Sequence, residues 1–258
     1  MCDRHGPLSL TRRHSLRLLL GAATAPVLAG CDQLPVDLVP DGVVEQMGLE
    51  GWQRIRQQVP LSQDSSLQSA LQRIGEQLLA AAGEDPARWE MRVFASPDIN
   101  AFALPGGKIG VFEGMFRVAA NEHQLAAVVG HEIGHNQAEH AKARMTASVA
   151  KDWGLRLISI VLQLGDVEYA AEIAAALGIG AEYGLFLPYS RRQELEADRL
   201  GLFTMARSGF DPREAVSLWR RMDQSGGSRL PEFLGTHPAP EARIEAIEAM
   251  LPEVLGRA

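Results

Sequence analysis

The chain has 258 residues, room for one good-sized domain or two small ones. With 46% hydrophobic and 22% charged residues it has the composition of a globular protein, which excludes a disordered chain and a multi-span membrane protein. Its 32 acidic against 25 basic residues give a net charge of −7, the wrong sign for a nucleic-acid binder.

Residues 1–30 read as a lipoprotein signal peptide, to be set aside before the fold is considered. Arg4, Arg12, Arg13 and Arg17 make a basic leader, and Leu18 to about Ala29 is an apolar run too short to span a bilayer. The run ends in Leu28-Ala29-Gly30-Cys31, which resembles a bacterial lipobox with small residues before the cleavage point and the Cys31 thiol as lipid acceptor. The alternative is an ordinary signal peptide with a chance cysteine. Thr11-Arg12-Arg13-His14-Ser15-Leu16 also resembles a twin-arginine signal without its large apolar residue, so Sec and twin-arginine export both stand. Cleavage before Cys31 removes those four arginines with a single acid, Asp3, and leaves a more acidic chain. Cys2 leaves with the leader and Cys31 carries lipid, so the fold is expected to rest on its core and its metal without a disulfide. The expected location is the periplasm, lipid-anchored to a membrane; Asp32 after the acylated cysteine leans toward the inner one.

Residues 31–42, with Pro35 and Pro40, read as a tether, and residues 43–258 as one domain. Its expected class is α+β and mainly helical. Apolar residues recur at helical spacing from Val43 to Val59 and from Ser65 to Ala82, where Leu67, Leu71, Ile74, Leu78 and Leu79 line one face and Gly83 ends the stripe. Met91-Arg92-Val93-Phe94 alternates as a strand does. Asn100 to Leu104, Pro105-Gly106-Gly107, and Lys108 to Phe112 predict a hairpin, so a small antiparallel sheet is expected. Asn121 is a good N-cap for a helix running to about Arg144. The apolar segment 153–187 is broken by Arg156, Gln163 and Asp166; it is too short and polar for a membrane span and fits a buried or lid-like helical hairpin. Further helices are predicted near 190–208, 212–224 and 240–255.

Chemistry concentrates in His131-Glu132-Ile133-Gly134-His135. Histidines four apart project from one face of a helix, so their nitrogens can converge on one tetrahedral zinc. Glu132 flanks the metal without being a ligand and is placed to take a proton from an attacking water and pass it to a leaving amine. Gly134 leaves space for a neighbouring backbone to come close. The alternative is a surface helix with solvated histidines. A third ligand is available in Ser190-Arg191-Arg192-Gln193-Glu194-Leu195-Glu196-Ala197-Asp198: Glu194 and Asp198 share a helical face while Glu196 points elsewhere. Glu194 would complete a two-His, one-Glu zinc site, and Asp198 would accept a hydrogen bond from the far nitrogen of a ligand histidine. Alone, that acidic pair would read as a solvated face.

Four blocks in order, Asn100-Ala101-Phe102-Ala103-Leu104-Pro105-Gly106-Gly107, His131 to His135, Glu194-Leu195-Glu196-Ala197-Asp198, and Thr236-His237-Pro238, resemble the HtpX and CAAX-prenyl-protease family of gluzincin zinc metallopeptidases, most closely its soluble, lipid-anchored periplasmic branch. The resemblance covers roughly residues 65–250. It implies a zincin-like core with an active-site helix, His131, His135 and Glu194 as zinc ligands, Glu132 as general base and Asp198 behind a ligand. It also places His237 near the open metal position, to stabilise the oxyanion or to block the site. Integral members carry transmembrane helices around this core and none is read here, which counts against prenyl-protein processing; Glu139 stands where relatives often carry a basic residue. The hairpin, through Asn100, Ala101 and Phe102, is expected to pair with an extended peptide by main-chain bonds, or else to be purely structural. His123 and His140 are read as satisfied or solvent-facing histidines, not ligands.

Two functions are expected to compete. One is a zinc endopeptidase that cleaves misfolded or misassembled envelope proteins, with an outer-membrane assembly partner. The other is a lipid-anchored chaperone or assembly factor whose zinc site is latent or structural.

Overall fold

The computed structural model describes residues 39–148, 189–225, 232–237 and 240–257. The leader, Cys31 and the apolar segment 153–187 lie outside the described residues. The end of the expected tether is already helical: α1 runs Asp41–Gln58. Helix α2, Ser65–Ala82, starts where Asp64 accepts hydrogen bonds from the Ser66 and Leu67 amides and buries Leu71, Ile74, Leu78 and Leu79. Three strands follow: β1 Glu90–Phe94, β2 Ala101–Leu104 and β3 Lys108–Phe112.

The hairpin forms as expected, β2 antiparallel to β3, and its connection uses Gly106 and Gly107 at φ 79° and 69°, a region open to glycine. The sheet is nevertheless mixed. Its order is β1-β3-β2, and β1 runs parallel to β3 with Glu90 opposite Lys108 and Phe94 opposite Phe112. The second strand of the hairpin, not the first, docks on β1; no local turn signal records such a pairing. It leaves β2 as a sheet edge.

Alternation sends the two faces of the sheet to different partners. Val93, Ala101, Ala103, Ile109 and Val111 belong to the main core with residues of α2 and α4. Phe94, Phe102, Leu104 and Phe112 pack instead with Trp52 of α1. There the Phe102 ring fills the space beside Gly110, within 2.4 Å of where a Cβ would stand.

After α3, Glu113–Val118, Asn121 caps α4, Glu122–Gln137, by accepting from the Gln124 amide at 2.9 Å. The helix stops seven residues short of Arg144. Glu139 adopts a left-handed backbone, φ 51°, and residues 140–148 begin a new helical stretch. The remaining helices are α5 Arg191–Arg207, α6 Glu214–Ser225, α7 Glu232–Thr236 and α8 Pro240–Gly256. A Ser190–Gln193 capping box opens α5.

Helices α4 and α5 pack through a seam of small residues. A Cβ on Gly134 would lie 2.8 Å from the Ala197 carbonyl oxygen, and one on Gly201 would lie 3.0 Å from the His131 amide nitrogen. The close backbone expected beside Gly134 is therefore that of α5. Helix α8 packs on the same α5, and β2 lies against α4.

Candidate metal centre

Leu125, Val128, Val129 and Ile133 bury α4 in the core, which leaves its His131 and His135 facing α5. Their Nε2 atoms are 2.9 Å apart. Across the seam, Glu194 Oε2 is 3.5 Å from His131 Nε2 and its Oε1 is 3.4 Å from His135 Nε2. His237, just after α7, closes the group with Nδ1 3.0 Å from Glu194 Oε1 and 3.2 Å from His131 Nε2. One atom from each of the four lies within 4.8 Å of the others, and all four residues are buried.

Such a cluster is rich in acceptors: a neutral imidazole has one N–H and one lone pair and a carboxylate only accepts, so three rings and Glu194 call for a cation, an added proton or a metal ion, among them. Among the described residues Glu194 Oε2 has no hydrogen bond, although Arg243 Nη1 stands 2.5 Å away as an ion pair. Nitrogen and carboxylate donors at this spacing fit a zinc ion.

Asp198 stands behind His131, its Oδ1 2.9 Å from Nδ1. Behind Asp198 stands a residue that the sequence reading missed. Arg243 of α8 is fully buried, donates from Nε to Asp198 Oδ2 at 2.7 Å and from Nη2 to Oδ1 at 2.5 Å, and lies 3.7 Å above the Trp219 ring. One signal could have found it: Arg243 shares the stripe of buried Ile247 and Val254, where an arginine has no place unless it is paired.

The charges follow from this packing. Burial opposes ionisation of Glu194, yet Arg243 and the polar contacts of the His131, His135 and His237 rings hold it far below the usual carboxylate range. Asp198 is likewise held down, against its burial, by Arg243 and His131. Burial and Arg243 disfavour charge on His131, but Asp198 and Glu194 outweigh them and raise it to about 9. Burial, with His131 nearby, pushes His135 well below its ordinary value.

Glu132 is fully buried with Oε1 3.5 Å from His237 Nε2, and neither carboxylate oxygen has a hydrogen bond among the described residues. On β2, Asn100 accepts from the Phe112 amide, so the period-two ladder turns the Phe102 main chain toward β3 and that of Ala101 and Ala103 outward. The Asn100 side chain is buried with Oδ1 unpartnered among the described residues, while the Phe102 ring sits in the aromatic cluster. Glu196 points away from the four-residue group, its side chain 51% exposed. His123 is outside it too, accepting from the Asp211 amide at 3.2 Å. His140 is not among the four either, but it is buried and touches His135.

Residues 65–251 match the family described as peptidase family M48. The mitochondrial metalloendopeptidase OMA1 of Schizosaccharomyces pombe is 36% identical over 185 residues, covering 70% of this chain and 52% of that protein. The beta-barrel assembly-enhancing protease of Escherichia coli K12 is 31% identical over 251 residues, covering 90% of this chain and 51% of that protein. The chain spans about half the length of these two relatives. Their names make the expected HtpX and CAAX-prenyl-protease framing imprecise, while the resemblance holds at family level. Among the described residues no helix is long and apolar enough to cross a membrane. The matched span contains the four-residue cluster, and zinc is the metal of these peptidases: the chain belongs to peptidase family M48, the gluzincin metallopeptidases.

Proposed function

We propose that this protein is a zinc-dependent endopeptidase, lipid-anchored through Cys31, that cleaves misfolded or misassembled envelope proteins. The observation that carries the reading is Glu132. A buried carboxylate without a hydrogen bond is costly, and its place beside two ligand-type histidines gives it a use as a proton carrier. In this reading His131, His135 and Glu194 would hold the metal, and His237, which closes the cluster, would stand by the open position to stabilise the oxyanion or to block the site. Zinc, when bound, polarises a peptide carbonyl and makes attacking water acidic enough to lose a proton near neutral pH. Glu132 takes that proton and delivers it to the amine as the carbon–nitrogen bond breaks. Asp198 and Arg243 keep the His131 ring oriented. The edge of β2, unpaired with any further strand among the described residues, receives an extended substrate through its Asn100–Phe102 stretch and the outward main chain of Ala101 and Ala103, a mode tolerant of sequence and suited to unfolded chains.

Periplasmic location and an outer-membrane assembly partner are supported by the leader ending in Cys31 and by the similarity to a protease named for beta-barrel assembly. A Cys31→Ser chain should leave the membrane fraction; retention there would remove the anchor from this reading.

The test of mechanism is Glu132→Gln on an unfolded protein substrate. Cleavage should fall by about 10²–10⁴-fold, the usual contribution of a general acid–base group, with zinc still bound. Equal cleavage by the two zinc-loaded proteins would sink it. The second reading, a chaperone or assembly factor with a latent site, is favoured by His237 closing the cluster with a fourth protein atom. Absence of cleavage by wild type and by His237→Ala alike, with zinc bound to both, would select that reading.

A further inference from the structure

In the two cluster histidines of α4, His131 and His135, the far ring nitrogen faces a side chain behind it. For His131 this is Asp198. For His135 it is His140: the two Nδ1 atoms are 2.9 Å apart and both rings are buried. His140 Nε2 lies 3.5 Å from Oε2 of Glu196, on the same α5 that supplies Glu194 and Asp198.

An uninterrupted helix would not make this contact. At 3.6 residues per turn, residue i+5 points roughly 140° away from residue i. The chain instead leaves α4 after Gln137, passes through the left-handed region at Glu139, φ 51°, and restarts with His140 folded back against His135. A side chain at such a φ is strained, and strain of this kind persists where the surroundings over-determine it. Tyr189 stacks on the face of His135, the ring centroids 3.8 Å apart.

The direction of the hydrogen bonds follows from ring chemistry. An imidazole that gives its Nε2 lone pair to a metal carries its proton on Nδ1. In His135 the acceptor within reach of that proton is His140 Nδ1. His140 must then carry its own proton on Nε2, which is where Glu196 faces it.

We propose that His140 is a positioning residue of the metal centre: it accepts the Nδ1 proton of His135 and, steadied by Glu196, fixes the ring and tautomer in which His135 presents Nε2 to zinc. This rests on the zinc-site reading above.

The test compares two variants of similar size in the full chain, with zinc affinity measured by chelator competition. His140→Asn places an oxygen where Nδ1 stands, and His140→Leu places a methyl there. The leucine variant should bind zinc 10–100-fold more weakly and the asparagine variant within about threefold of wild type, as expected for loss and retention of a partner behind a ligand. Equal affinity of His140→Leu and wild type overturns the proposal, as does equal loss in both variants, which would mark a packing role. If His140→Leu does not fold, His140→Phe keeps a ring without an acceptor, and the same outcomes apply. Wild type that binds no zinc would overturn the zinc-site reading itself and this inference with it.

Discussion

Between α1 and the sheet, Trp52, Phe94, Phe102 and Phe112 interlock with ring centroids 5.5–6.1 Å apart. Between α4, α5 and α8, three imidazoles, the carboxylates of Glu194 and Asp198 and the Arg243 guanidinium are buried about as deeply. The first region is complete once its shapes fit; its one polar loose end is Trp52 Nε1, unpartnered among the described residues. The second is complete only when charge is balanced, because buried ions are tolerated when paired and are costly when a partner is lost. Stability in one region is therefore indifferent to metal, and in the other it is tied to metal.

The largest effect should come from taking a charge out of the second region. Arg243→Met strands two buried carboxylates and should destabilise the metal-free protein by about 3–5 kcal/mol, the cost of breaking a buried pair. Zinc should recover part of that loss, since it supplies positive charge to Glu194. Thermal or urea unfolding with and without zinc measures both, and an equal loss in the two states would break the comparison.

A smaller effect should appear on changing pH. His131, raised to about 9, holds a proton at pH 7 that a zinc ligand must give up. Zinc affinity should therefore rise with pH up to about 9, at most tenfold per unit, or about 1.4 kcal/mol, and then level off. The sign reverses for the metal-free fold. A raised folded pKa contributes stability that is full below the ordinary value of 6.5 and is lost as pH rises through about 9. Chelator competition across pH 6–10 checks the first statement, and a flat profile would remove His131 as a proton-coupled ligand. The smallest effect belongs to the aromatic region. Phe94→Leu, a small truncation of a fully buried ring, should cost about 1–1.5 kcal/mol, and the same with zinc as without it.

The same division decides what could be read from the sequence. The helices announce themselves by apolar spacing and caps: Ser65–Ala82 was legible to the residue, and Asn121 caps where it should. Spacing of four brought His131 to His135 and Glu194 to Asp198, because a helix carries such pairs on one face. Gly134 foretold a close backbone, though not whose. What stayed hidden depends on contacts between distant segments. Nothing near Met91–Phe94 says that β3, not β2, will lie beside β1. Arg243 looks like any charge on a helix until Ile247 and Val254 show which face is inside. His140 reads from the sequence as a satisfied or solvent-facing histidine, and its place behind His135 depends on the break after Gln137, which Ala138-Glu139, with neither glycine nor proline, does not mark.

The seam between α4 and α5 also works as a ruler. The histidines ride on one backbone and Glu194 and Asp198 on another, and Gly130, Gly134, Ala197 and Gly201 hold those backbones in contact. The gap between the two histidines and Glu194 is thus fixed by the helices rather than by side-chain choice. A cation such as calcium, which seeks six to eight oxygens at about 2.3–2.6 Å in a pliable cage, asks for more room than two touching helices give. In the zinc-site reading, these four small residues, which stand outside the ligand set, would help to decide which cation fits.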